Sequence, residues 1–138
     1  MRTKPIPETA AFGIDIGKKV FHVIALNAAG DVFVTGYFRE SLDITSPALT
    51  EPGGHALFVA RLAASNGATL WGKRWGCTNP SPSYGPDRGV ALVLDANGDV
   101  LVGGAAITGG CDFGDGTPVL GAGQSDAFVA KYKGSDGS

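Results

Sequence analysis

The feature that most constrains this chain is that it repeats itself. Residues 23–36 read VIALNAAGDVFVTG and residues 91–104 read ALVLDANGDVLVGG. Leu26, Ala28, Gly30, Asp31, Val32, Val34 and Gly36 therefore recur 68 residues later as Leu94, Ala96, Gly98, Asp99, Val100, Val102 and Gly104. A second block, Phe58-Val59-Ala60-Arg61-Leu62, recurs 70 residues later as Phe128-Val129-Ala130-Lys131-Tyr132. Between the blocks, Pro47 and Leu49 answer Pro118 and Leu120. A repeat of this kind is one supersecondary unit that buries its apolar surface against its neighbours.

Each copy reads as strands. Residues 20–26 form a strand, Asn27 to Gly30 a turn, and Asp31 to Phe38 a returning strand. A long polar loop is expected over 39–55. A third strand follows at Ala56–Ala63, a turn at Ser65-Asn66-Gly67, and a fourth strand at Ala68–Trp75. Copy two repeats strands at 90–95, 99–105 and 126–132 and lacks the fourth. Asn97-Gly98 is a hairpin signal because both residue types tolerate positive φ. Glycine fills 22 of 138 positions, about twice the usual ~7%, and sits between short apolar runs without a Gly-X-Y period, which excludes collagen. The strands are apolar on both faces, as in Val-Phe-Val at 32–34 and Val-Leu-Val at 100–102. A sheet with one wet face would alternate. Sheets stacked face to face are the expectation, and four strands per radially stacked repeat is the blade of a β-propeller.

AGDVFVTGYF, GGHALFVARL, GATLWGKRWG and QSDAFVAKY resemble the bacterial SBBP-type, seven-bladed β-propeller repeats over about residues 23–132. In those repeats G-(D/N)-V-(F/Y)-V-T-G precedes D-A-F-V-A-K-L and an aromatic strand ending in glycine. Ala56 replaces the usual Asp, and Asp126 keeps it. The resemblance implies an all-β chain of antiparallel four-stranded blades, about one and three-quarters of them, in a secreted or cell-surface protein with no catalytic residues and no cofactor. The expected organisation is a leader at 1–19, a first blade at 20–76 and a truncated second blade at 77–138. Because closing a propeller takes about four to eight blades, the chain reads as a fragment or a self-associating unit, whose partners are copies of itself or other blades. Alone, its blade faces would be exposed apolar patches prone to aggregation.

FGIDIGKKVFHVIAL at 12–26 resembles a different family, the Piv-like DEDD transposases of insertion sequences, whose nuclease domain is RNase-H-like. There an Asp in a G-I-D-(I/V)-(G/A)-K strand binds the catalytic metal, and the matching residue is Asp15. A strand-borne carboxylate suits Mg²⁺ in two-metal phosphodiester chemistry. Glu40, Asp43 and Glu51 are further acids but match no motif, and one carboxylate cannot hold two metals. This gives the alternative reading: a truncated transposase start, with nucleic acid as partner, joined to propeller repeats, as an insertion element landing in a propeller gene would produce. The plainer reading makes Asp15 a solvent-facing or turn carboxylate, Lys18-Lys19 a charged hairpin turn, His22 a packed or edge histidine, and His55 a loop residue.

Other candidates are weaker. Gly109-Gly110-Cys111-Asp112-Phe113-Gly114-Asp115-Gly116 places Asp112 and Asp115 near free carbonyls, as Ca²⁺ sites do, but lacks the D-x-D-x-D-G ladder and its distal Glu; a polar edge loop is the alternative. Trp71, Trp75, Tyr84 and Phe113 suit either a sugar- or peptide-binding patch or packing between blades. Trp71 and Trp75 lie four apart and so share a strand face. Cys77 and Cys111 make no zinc site; they either form a disulfide or remain thiols. A net charge of −2 gives no nucleic-acid footprint. No run approaches the ~18 apolar residues of a membrane helix, and charges interrupt any signal-peptide core.

Overall fold

The computed structural model describes residues 15–16, 19–75, 88–107, 110–120 and 125–138. Among them every regular element is a strand, and every strand pair is antiparallel. The first sheet runs β1 (Asp15–Ile16), β2 (Lys19–Leu26), β3 (Val32–Leu42), β4 (Leu49–Leu62), β5 (Thr69–Trp75), in that spatial order. The second contains β6 (Arg88–Leu94), β7 (Val100–Ile107) and β10 (Ser125–Tyr132), in the order β10-β7-β6. A small hairpin, β8 (Gly110–Cys111) with β9 (Val119–Leu120), interrupts the connection from β7 to β10. The two copies of the sequence repeat thus fold as two meanders. Even their irregularity repeats: β2 shifts register between Phe21 and Val23, and β6 between Gly89 and Ala91.

Residues 39–55 are not the polar loop expected from their composition. The pairing of β3 with β4 continues beyond Arg39↔His55 through Glu40↔Glu51 to Leu42↔Leu49, so His55 lies within a strand. The ladder skips Pro52-Gly53-Gly54, and Glu40 takes a left-handed φ of 66°. Proline lacks a ladder donor and glycine weakens a strand, so the hairpin bends here into an arm. Its tip folds back on the sheet. Thr69 Oγ1 donates to the Ile44 carbonyl, and a Cβ at Gly72 would stand 2.5 Å from Thr45, so only glycine lets the tip approach. The hairpin β8–β9 occupies the same place in the second copy.

Each sheet has two faces, and strand alternation assigns them. The forward face of the first sheet carries Phe33, Leu57, Val59 and Trp75. These pack against Val100, Val102 and Tyr132 on the rear face of the second sheet, in one core cluster. β6 lies against β2 and β3 at this contact. The rear face of the first sheet carries Val34, Phe38, Ala56, Phe58 and Ala60, covered by Leu42, Ile44 and Leu49 of the arm. Both faces of β3 and β4 are therefore buried, which is why their sequence does not alternate. Each large side chain fully removed from water contributes roughly 1.5–3 kcal/mol.

Candidate functional site

The two β-turns that open each copy face one another. Residues 25–29 and 93–98 line a cleft of about 550 Å³ between them. Both turns are wound by the side chain of their first residue. Asn27 Oδ1 accepts from the amides of Ala29 and Asp31 at 3.0 and 2.9 Å. Asp95 Oδ1 accepts from those of Asn97 and Asp99 at 2.8 and 3.0 Å. Gly30 and Gly98 take φ of 82° and 80°, and among the described residues Glu40 alone is a non-glycine with positive φ. Asn97 therefore does not use its tolerance for positive φ; Asp95 organises the turn instead.

Behind each turn sits an ion pair built on the repeated Asp. Asp31 Oδ2 accepts from Arg61 Nη2 and Nε at 2.6 and 3.1 Å and from Asn27 Nδ2 at 3.3 Å, and Asp31 Oδ1 accepts from the Ala64 amide at 2.9 Å. The Ala64 amide, the Arg61 fork and Asn27 hold the Asp31 carboxyl below its ordinary pKa. In copy two Asp99 Oδ1 accepts from the Gly134 amide at 3.3 Å, while Lys131 Nζ lies 2.6 Å from Asp95 and 3.2 Å from Asp99. Lys131 lowers the pKa of Asp95, and both carboxylates raise that of Lys131. The repeated Asp thus ties the turn between the first two strands of each copy to the turn that follows the third. Its recurrence is visible in the sequence; its partners, 30 or more residues away, are not.

The first clamp also reaches across copies. Arg61 Nη1 and Trp71 Nε1 both donate to the Gly134 carbonyl, at 2.8 and 2.9 Å. Trp71 meets Phe33 edge-on at 6.0 Å, and Trp75 stacks on Tyr132 at 4.3 Å. Phe113 packs on Phe128 at 4.9 Å. Trp71 and Trp75 do share a face, and with Phe113 they join the contact between the sheets. Tyr84 lies outside the described residues. Burial, helped by Asp112 and Asp115, pushes the Tyr132 phenol well above its ordinary pKa.

The remaining candidates are dispersed. Asp15 pairs with Val20 in β1, so it lies on a strand rather than in a turn; its side chain, like those of His22 and His55, is outside the described residues. Lys18 is outside them too, and Lys19 opens β2. Glu40 and Glu51 lie opposite one another at the base of the arm, where Glu51 pairs with Arg74, and Asp43 lies at its tip. Asp112 Oδ1 accepts from the amides of Gly114 and Gly116, and Asp115 Oδ1 from that of Thr117, so these oxygens wind a turn. Among the described residues no three His, Cys, Asp or Glu side chains gather as a metal site. Cys111 is disulfide-bonded; Cys77, the other cysteine of the chain, lies outside the described residues. Comparison with known protein families, curated proteins and solved structures finds no match.

Proposed function

We propose that this chain is a non-enzymatic repeat protein of the β-propeller type, acting as a scaffold or binding module. The observation that supports this most is the stacking of its two copies. The forward face of one sheet lies on the rear face of the next, as successive blades do. The cleft of about 550 Å³ between the two turns is the place where such a scaffold would hold a ligand, because it is the concave surface at the junction of the two copies. The disulfide at Cys111 suits an oxidising compartment outside the cytoplasm.

A blade needs a fourth strand, and the end of copy two is set up for one. The turn at 133–138 repeats the turn at 63–68 bond for bond. Lys133 N donates to Ser138 O and Gly137 N to Lys133 O, as Ala63 N does to Ala68 O and Gly67 N to Ala63 O. Ser138 stands where Ala68 precedes β5. Appending the sequence of Thr69–Trp75 after Ser138 tests the reading. The outward amides of β10 are expected to gain protection from hydrogen exchange, and the melting temperature to rise. Unchanged exchange at β10 would sink the blade interpretation.

A further inference from the structure

We infer that the outer edge of β10 is a strand-acceptor site: it binds, in antiparallel register, an extended peptide segment of another chain that resembles β5, with two aromatic side chains on one face. This rests on the blade reading above and names the partner of its open edge.

The repeat supplies the argument, because β10 is the equivalent of β4. β4 pairs with β3 on one side and with β5 on the other, whereas among the described residues β10 pairs with β7 alone. The exposures of equivalent residues place the opening. On the forward side, Leu57 and Val59 are buried, whereas their equivalents Ala127 and Val129 are exposed, Val129 to 77%. On the rear side, Phe58 and Ala60 are buried, whereas their equivalents Phe128 and Ala130 are half-buried, although both pack against the core between the sheets. A missing sheet in front uncovers one face only. A missing neighbour in the plane of the sheet uncovers both, because paired strands lie ~4.8 Å apart and their side chains cover one another on either face. The difference on the rear side is therefore lateral, at the edge of β10. An edge strand presents a row of amides and carbonyls with which an added strand pairs.

β4 and β5 give the register. Leu57 lies opposite Trp75, Val59 opposite Lys73 and Arg61 opposite Trp71. Carried to the second sheet, this register sets one aromatic side chain of the incoming strand opposite Ala127 and the other opposite Lys131. Both then stand on the forward face, diagonal to Val129. Diagonal neighbours are within reach of aromatic side chains, so the two rings close over the most exposed side chain of the strand. Backbone pairing supplies affinity at such a site, and the side chains on one face supply selectivity.

Hydrogen exchange tests this with the wild-type chain and a synthetic peptide of the sequence Thr69–Trp75. The peptide is expected to slow exchange of the outward amides of β10 about tenfold or more. The same peptide carrying Trp71→Ala and Trp75→Ala is expected to leave β10 unprotected at that concentration. In the protein, Val129→Lys removes the apolar contact and repels the basic peptide, so protection is expected to be lost. If circular dichroism shows Val129→Lys unfolded, Ala127→Lys takes its place. No protection by the wild-type peptide at millimolar concentration overturns the inference. Equal protection by the alanine peptide overturns the aromatic selectivity. Protection of β10 that rises with protein concentration in the absence of peptide also overturns it, since two copies would then pair edge to edge. If the appended strand protects β10 and the free peptide does not, the blade reading stands while this inference fails; if neither does, both fall.

Discussion

Val59 and Val129 hold the same place in the repeat, yet one is wholly buried and the other is the second most exposed large apolar side chain among those described, after Leu120. The two copies share turns, clamps and strand register. They differ in what lies in front of them. Copy one faces a second sheet and carries a fourth strand with two tryptophans; among the described residues, copy two pairs three strands and leaves Val93 and Val129 exposed. Closely similar local sequence thus yields different burial at equivalent positions, because burial belongs to the neighbour as much as to the residue.

Paired substitutions at equivalent positions would sharpen or break this comparison. Phe33→Ala is expected to cost about 3–5 kcal/mol, the range for truncating a buried aromatic, while Leu101→Ala costs under ~1 kcal/mol in dilute solution. Denaturant unfolding of both variants checks it, and equal losses would mean that the forward face of copy two is already covered. Next in size, Val59→Thr buries a hydroxyl at a fully enclosed position and is expected to cost about 1–3 kcal/mol. Val129→Thr should stay within ~0.5 kcal/mol.

The turns give a smaller contrast. Gly67 and Gly137 take φ of 70° and 74°. Alanine at either is strained by about 1–2 kcal/mol. A Cβ at Gly67 meets nothing within 4 Å, whereas at Gly137 it would lie 2.8 Å from the Trp71 ring. Gly137→Ala should therefore lower the melting temperature more than Gly67→Ala does. The reverse order would show that the terminal turn is not docked on Trp71.

The smallest expected effect is on pH dependence. Asp31, Asp95 and Asp136 all have pKa values lowered by folding from 3.8. Such groups stabilise the fold above their unfolded pKa, and the contribution is lost as pH falls through the lowered folded value. Lys131 is raised above 10.5, so its contribution is present below that value and is lost as pH rises through the raised one. Thermal melts should show a plateau between about pH 5 and 9 with an acid limb below ~4. Asp31→Asn should flatten the acid limb, and a limb unchanged by this substitution would place the acid sensitivity elsewhere.

Much of the strand layout was legible because strands repeat with period two and turns are marked by glycine. The arm at 39–51 was not, since Leu42, Ile44 and Leu49 are scattered among polar residues without a strand period and its order comes from pairing with each other across a bend at Glu40. The role of Asp31 was legible only as recurrence. Nothing local distinguishes a clamp from a turn residue when its partner is Arg61, 30 positions on. The aromatic residues show the same limit: spacing puts Trp71 and Trp75 on one face, but only the facing sheet shows that Trp75 stacks on Tyr132.

By itself, the sequence determined an all-β chain of two related meanders with apolar strands and glycine-bearing turns, because backbone geometry and side-chain alternation are local properties. Tertiary structure alone decided which face of each meander is covered, which polar groups join the two sheets, and that Val93 and Val129 are left exposed. Those outcomes depend on contacts between residues some 70 positions apart, as in Arg61 with Gly134, and no local pattern records such a distance.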